Sequence, residues 1–353
     1  MSETLRQALP RVYARILPAF FDALAPEEPK ATCHDCAMCS PGEPPPGVVQ
    51  FRRDLKCCTY QPRIPNYLVG ALLADVDPAL AEGQRRVRAH IASKVGVTAR
   101  WLSPSRKQAA LFRASRDSSF GRSAALRCSY LAEESGLCTI WRHREAVCST
   151  FFCKYGAGAD GQAFWRALNT YLGRAERALA WHAVEALAPA LAEPPRPLDQ
   201  MSLEELEDRP PTPADYAAFW GAWQGREEAF YLEAHALVAG LSRDDFERIV
   251  GAAPPELAAV EEALRRVRDP VLPRRLALDL YRPPLPVDDG VIVSSYSNYE
   301  PIKLTPALFE VLRELRADET VDAFRERLLR EHELDVPEGL LLELYQLRVL
   351  VAV

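Results

Sequence analysis

The sequence predicts a mainly α, α+β protein built in three parts. Three observations carry that expectation. All nine cysteines fall between Cys33 and Cys153, in a stretch rich in proline. Apolar residues then recur at helical spacing through the middle of the chain. From Val291 the pattern changes to a β-branched run followed by three capped helical segments. The expected parts are a cysteine-rich domain over residues 1–158, a helical block over 159–283 and a small winged-helix-like domain over 286–353. A chain of 353 residues, 48% hydrophobic and 26% charged, is long enough for two or three cores.

The first part opens with an amphipathic segment from about Thr4 to Leu24, read as one helix bent near Pro10 or Pro18. A loop-rich stretch follows, dense in proline between Pro41 and Pro65. Asp77-Pro78 reads as a cap with proline at the first helical position, opening a helix towards Val95. Arg100, Trp101 and Leu102 read as a short extended piece. In the helical block, Phe164, Leu168, Leu172, Ala175, Leu179 and His182 share one face of a helix that starts near Gly161. The proline-rich residues 189–197 end it. A second long helix is expected from Thr212 to Leu241, and Ser242 with Asp245 forms a capping box for a shorter one. Residues 282–289, RPPLPVDD, read as a linker.

The tail begins with the strand Val291, Ile292 and Val293. Thr305 caps a helix with Pro306 at its first position and Leu308, Leu312 and Leu315 on one face. Asp318-Glu319-Thr320 starts a second, with Val321, Phe324 and Leu328 or Leu329 inward. A third carries Leu340, Leu341, Leu344 and Leu347 and leads into a terminal apolar strand.

The net charge of −6 hides two opposite halves. Residues 1–200 hold 26 Lys and Arg against 19 Asp and Glu; residues 201–353 hold 17 against 30. The most basic stretch, Gln84 to Arg127, has eleven cations and one acid, Asp117. Residues Thr305 to Arg348 carry eleven acids and six arginines, a surface that would repel phosphates, so no nucleic-acid partner is expected. No apolar run approaches the ~20 residues needed to cross a bilayer. Arg6, Arg11 and Arg15 interrupt the N-terminal apolar pattern, so no secretory signal is expected and the protein reads as cytoplasmic, without a membrane partner.

In a reducing compartment nine cysteines point to metal ligation rather than disulfides. They are spaced Cys33-x2-Cys36-x2-Cys39, then Cys57-Cys58, then Cys128-x9-Cys138-x9-Cys148-x4-Cys153. Two-residue gaps put successive thiolates on one tight loop. Zinc uses such turns, and four-iron clusters use C-x2-C-x2-C with a remote fourth cysteine. Only His34 and His143 lie near the cysteines in sequence, so the donor set is nearly all sulfur. It suits a [4Fe–4S] cluster or zinc and disfavours magnesium or calcium.

At Cys128 to Cys153, CSYLAEESGLCTIWRHREAVCSTFFC, the residues resemble the second half of the zinc- or iron-chelating CxxCxxCC family (YkgJ-like). Cys128-Ser129-Tyr130-Leu131 and Cys138-Thr139-Ile140-Trp141 fit its elements, as do Arg144, Cys148 and Cys153. The first half departs from the family: 17 residues separate Cys39 from the Cys57-Cys58 pair. One of the nine cysteines is then surplus to an eight-thiolate pattern. The family includes flagellin lysine N-methylase, so the resemblance implies metal binding and an enzymatic or redox role. It further implies iron–sulfur-assisted methyl transfer from S-adenosylmethionine to a protein or peptide. A zinc-stapled, non-enzymatic peptide-binding adaptor is the competing expectation. The tail from Val291 to Val353 resembles a PqqD-like winged helix, which implies a peptide or protein partner.

Three further signals stand apart from the cysteines. Gly156, Gly158 and Gly161 match a dinucleotide fingerprint in spacing only and read as a turn before a helix. On the expected Thr212–Leu241 helix, Trp220, Trp223, Glu227, Phe230 and Ala234 share one stripe. A carboxylate on an apolar face needs a partner or a task, so Glu227 is a candidate catalytic residue. Arg144, Trp223 and Glu227 are expected to line a cavity beside the cluster. The competing expectation pairs Glu227 with an arginine of the basic stretch. His143 reads as a partly exposed loop histidine.

Overall fold

The computed structural model describes residues 3–30, 33–39, 48–191, 201–279 and 282–353. The proline-rich segments expected at residues 41–47 and 192–197 lie outside the described residues. The fold is α+β and mainly helical. It divides into two compact units. The first comprises Met1–Ala25, Phe51–Phe151 and Leu168–Ala258; the second comprises Pro26–Gln50, Phe152–Ala167 and Ala259–Val353.

The first unit is organised by two helices in very close contact, Asn66–Ala74 and Glu227–Ala239. Gly70 makes the approach possible, because a Cβ there would run into the Tyr231 carbonyl and the His235 Cβ. Asn66 opens its helix fully buried, and its side-chain amide donates to the carbonyls of Ala99 and Ala180, each at 3.0 Å. Just before it, Ile64–Pro65 pairs antiparallel with Trp101–Leu102, which places the expected extended piece. Asp77 caps a short 3-10 turn, Pro78–Leu80, that runs into the helix Ala81–Ser93. The helix Arg106–Ser119 buries none of its residues, as its composition of RKQAALFRASRDSS requires.

Two expectations about this unit need correction. The N-terminal segment is not one bent helix: a capped turn, Leu5–Ala8, is followed by 3-10 turns at Arg11–Tyr13 and Ala19–Asp22. Pro10 and Pro18 each sit at the N-cap of a 3-10 turn and break the ladder instead of bending it. The long Thr212–Leu241 helix is also divided, into Pro213–Trp220, a 3-10 turn Gly221–Trp223, and Glu227–Ala239. Gly221 (φ 49°) and Gly225 (φ 78°) adopt left-handed backbone that ends one helix before the next begins.

The second unit has its own core. Leu276, Val293, Leu304, Leu312, Val321, Phe324, Leu328, Leu341, Leu344 and Leu350 are all buried together. The helices Pro306–Arg313, Val321–His332 and Glu338–Gln346 form around it; the first is capped by Thr305, as expected, and within the expected start Asp318-Glu319-Thr320 the cap of the second is Thr320. The expected linker is instead part of a sheet: Leu285–Val287 pairs with Gly290–Val293, which pairs with Ile302–Leu304. Leu276–Leu278 pairs with the terminal strand Leu350–Ala352. Proline is tolerated at 286 because the strand is an edge. Arg327 is buried and donates to both oxygens of Glu319, at 2.8 and 2.9 Å.

Gly70→Ala should lower the stability of the first unit by about 1–3 kcal/mol, because backbone atoms cannot yield to the new methyl. Gly339, where a Cβ meets nothing within 4 Å, is the control. Gly339→Ala should leave the second unit as stable or firmer by about 0.4–1 kcal/mol. Urea unfolding of both variants measures this; equal midpoints would contradict it.

Candidate metal centre

The first unit holds five cysteines, Cys57, Cys58, Cys128, Cys138 and Cys148. Cys57 and Cys58 end a tight turn in which the amides of Leu55 and Lys56 bond the Arg52 carbonyl. Lys56 takes a left-handed φ of 54° there, which costs a side-chain-bearing residue about 1–2 kcal/mol. Its ammonium offsets part of that cost by donating to the Gly136 carbonyl at 2.7 Å, on the loop that leads to Cys138. The Cys128 amide donates to the Cys58 carbonyl at 2.9 Å, joining two loops far apart in the chain. Cys128 and Cys138 stand on the two arms of a small hairpin, closed by Ala132 N to Leu137 O and Thr139 N to Tyr130 O, both 2.9 Å. Cys148 lies in the short helix Ala146–Thr150, whose cap Glu145 accepts the amides of Val147 and Cys148 at 2.7 and 3.0 Å.

Polar side chains bind these loops from outside. Gln61 takes the Ser129 amide and donates to the Ser129 hydroxyl, both at 2.8 Å. Arg86 donates to the carbonyls of Ser129 (2.5 Å) and Leu131 (3.2 Å). Arg144 lies 3.4 Å over the Trp141 ring and donates to the carbonyls of Trp141 and Cys148. Sequence reasoning missed Lys56, Gln61 and Arg86, because their partners are backbone groups on other loops.

Burial and neighbouring groups raise three of the thiols. A hydrogen bond from the Cys57 S–H to Cys58, and then burial, push the Cys57 thiol well up, against the pull of Arg144. Burial, with the nearby Cys138 and Cys57, pushes Cys128 up to about 12. Burial and the Glu145 carboxylate raise Cys148, with Cys128 and Cys138 adding to it. The raised thiols of Cys57, Cys128 and Cys148 hold their protons, and a cation that binds them must displace those protons. Among the described residues, no three His, Cys, Asp or Glu side chains already close on one point. The donor chemistry nevertheless fits a soft cation: five sulfurs, with one carboxylate bonded to Cys148.

Behind Cys148 lies a buried acidic pair. Glu176 accepts the Ala146 amide at 2.7 Å and the Tyr13 hydroxyl, and Tyr13 in turn bonds Tyr67 at 2.7 Å. Burial, then the charge of Glu145, pushes the Glu176 carboxyl well up; burial raises Glu145 too. The sequence held a signal for Glu176, which sits one position after Ala175 on the apolar stripe of the Gly158–Leu187 helix.

The remaining candidates fall elsewhere. Cys33, Cys36, Cys39 and Cys153 belong to the second unit. Glu227 begins its helix and accepts the Gly225 amide at 2.8 Å, while its neighbour Glu228 makes the ion pair to the basic stretch, through Arg88 at 3.1 Å. Trp220 and Phe230 are core residues packed edge to face, and Trp223 donates to the Leu187 carbonyl. His143 is buried rather than partly exposed, with Nε2 2.9 Å from the Asp75 carboxylate. Gly156 and Gly158 lie at a turn that opens the Gly158–Leu187 helix, with Gly158 at φ 56°. Among the described residues no helix is long and apolar enough to cross a membrane. Comparison with known proteins found no matching family model, curated protein or solved structure.

The Glu176 carboxyl keeps its proton longer in the folded state than in the unfolded chain. Its contribution to stability is therefore complete below the unfolded pKa of ~4.3 and declines as pH rises from there through the raised folded value. Glu176→Gln should remove that part of the decline while keeping the acceptor for Ala146. Urea unfolding of the first unit at stepped pH from 5 to 9 measures it; a slope identical to wild type would contradict the assignment.

Proposed function

We propose that this protein is a metal–thiolate protein, with an iron–sulfur or zinc centre held by Cys57, Cys58, Cys128, Cys138 and Cys148, and that the centre serves an enzymatic or redox reaction. The supporting observation is that backbone bonds tie the cysteine-bearing loops together: the Cys128 amide bonds the Cys58 carbonyl, and Cys128 and Cys138 stand on one hairpin. Buried sulfurs in such number repel one another's ionisation, and a soft cation removes that repulsion. Arg144 adds a fixed positive charge beside Cys57. When bound, the metal would supply electron transfer or Lewis acidity, and the chain's own part is to fix and desolvate the sulfurs. A reducing, cytoplasmic setting would keep these thiols available to a metal.

Methyl transfer from S-adenosylmethionine to a protein or peptide is the reaction that the family resemblance adds to this proposal. The acidic tail is read as a winged-helix-like module for a peptide rather than for nucleic acid. Its separate core would keep it folded when the centre is disrupted.

Anaerobic purification with elemental analysis and an optical spectrum tests the reading. The wild-type chain should carry iron with absorption near ~400 nm, or zinc without colour. Cys138→Ser and Cys148→Ser should each lose metal and make the first unit protease-sensitive, with the tail still protected. Metal added to the apo protein should release protons, more of them at lower pH. A metal-free wild type that neither binds iron or zinc nor releases protons would overturn the proposal.

A further inference from the structure

Within the most basic stretch of the chain, the helix Arg106–Ser119 holds four cations against one acid, Asp117. Its first turn carries Arg106 and Lys107 and no acid, so two positive charges sit at the end where the helix dipole is already positive. Arg113 lies two turns along the same face as Arg106, with Ala110 and Ala114 beside it. The opposite side of the helix is held in place. Phe112 packs edge to face on Tyr60, at 5.4 Å between centroids, and Gln108 donates to the Arg127 carbonyl at 3.5 Å. Leu111, Arg113 and Ala114 are exposed.

Another segment of the first unit lies against this helix. Residues 202–208, SLEELED, hold four acids and no cation, and Ser202 caps their single helical turn, Leu203–Leu206. Glu205 pairs with Arg106 at 3.2 Å, and Asp208 with Lys107 at 3.3 Å. The contact is electrostatic and shallow. None of residues 202–209 is buried, and Leu203 and Leu206 are 74% and 42% exposed. Charge holds the segment in place, and ion pairs near the surface are weak and screened by salt.

We infer that this face of the Arg106–Ser119 helix is a docking site for an acidic, leucine-bearing segment of a partner protein, and that residues 202–208 are a built-in cover which the partner displaces. The cover shows the chemistry that the face accepts, carboxylates that meet Arg106 and Lys107. It buries neither of its own leucines. A partner that lays leucines on Ala110, Leu111 and Ala114 and a carboxylate on Arg113 gains apolar burial that the cover lacks. Because the cover belongs to the chain, it competes at every protein concentration, and the partner binds only the uncovered fraction. Neither the face nor the cover includes a cysteine, so the docking site and the metal centre stand or fall separately.

The test uses the full chain and a fluorescein-labelled peptide of three SLEELED repeats as the acidic probe, with binding read by anisotropy. Glu205→Gln with Asp208→Asn opens the cover while glutamine keeps the capping box. It should bind the probe about three- to tenfold more tightly than wild type. Glu204→Gln with Glu207→Gln changes the net charge equally on the same segment, spares both ion pairs, and should bind as wild type does. Adding Lys107→Ala and Arg113→Ala to the opened variant should cancel its gain. Should these substitutions disturb folding, hydrogen exchange of the wild-type chain decides: bound probe should speed exchange in residues 202–209 and slow it in the Arg106–Ser119 helix. Equal affinity or no binding in wild type and the opened variant would overturn the inference. So would an equal gain in the Glu204 and Glu207 variant, a gain that survives loss of Lys107 and Arg113, or exchange in 202–209 that the probe leaves unchanged. Tighter binding of a single-stranded oligouridylate than of the peptide by the opened variant would also overturn it, in favour of a nucleic-acid face.

Discussion

The hydrogen bond from the Cys128 amide to the Cys58 carbonyl is the constraint on which the first unit's site depends. Both cysteine loops bury apolar residues, Leu55 in one and Leu126, Tyr130, Leu131 and Ile140 in the other, but burial is non-directional and does not set how the loops face each other. They are fixed by polar bonds between loops: Lys56 to Gly136, Gln61 to Ser129, Arg86 to Ser129 and Leu131. Each net bond contributes only about 0.5–1.5 kcal/mol. The set is strong enough to tolerate a left-handed lysine at 56 and five sulfurs whose ionisation is mutually opposed. On the proposed reading, a bound cation would relieve that opposition and take the place of the thiol protons.

The buried Glu176–Tyr13–Tyr67 array and the Glu145 cap form the rigid side of the same site. They tie Cys148 to the Gly158–Leu187 helix, while Gly70 lets the Asn66–Ala74 and Glu227–Ala239 helices close on each other. Flexible loops carrying the donors are thus set on helices whose positions are fixed by packing. This is the arrangement that a metal site needs if it is to bind with a defined geometry.

Much of the fold was legible in the sequence where a local rule acts alone. Asp77-Pro78, the Ser242 and Asp245 box, and Thr305 before Pro306 all cap as read, because capping involves residues only two or three positions apart. Readings failed where tertiary contact or glycine geometry decided. The apolar stripe through Trp220 and Glu227 hid two left-handed glycines. Pro286 masked an edge strand that forms only by pairing with Gly290–Val293. His143 looked exposed because its neighbours are arginines, yet Asp75 draws it inward. In the site, the cysteine types and spacings were legible, and their division between two units was not. That division depends on which segments pack together, and spacing does not encode it.

X-ray absorption at the iron or zinc K-edge addresses the central claim most directly. For the anaerobically purified chain, the account predicts a first shell of sulfur at about 2.3 Å and no nitrogen or oxygen shell of comparable weight. A first shell dominated by nitrogen or oxygen at about 2.0–2.1 Å would contradict it.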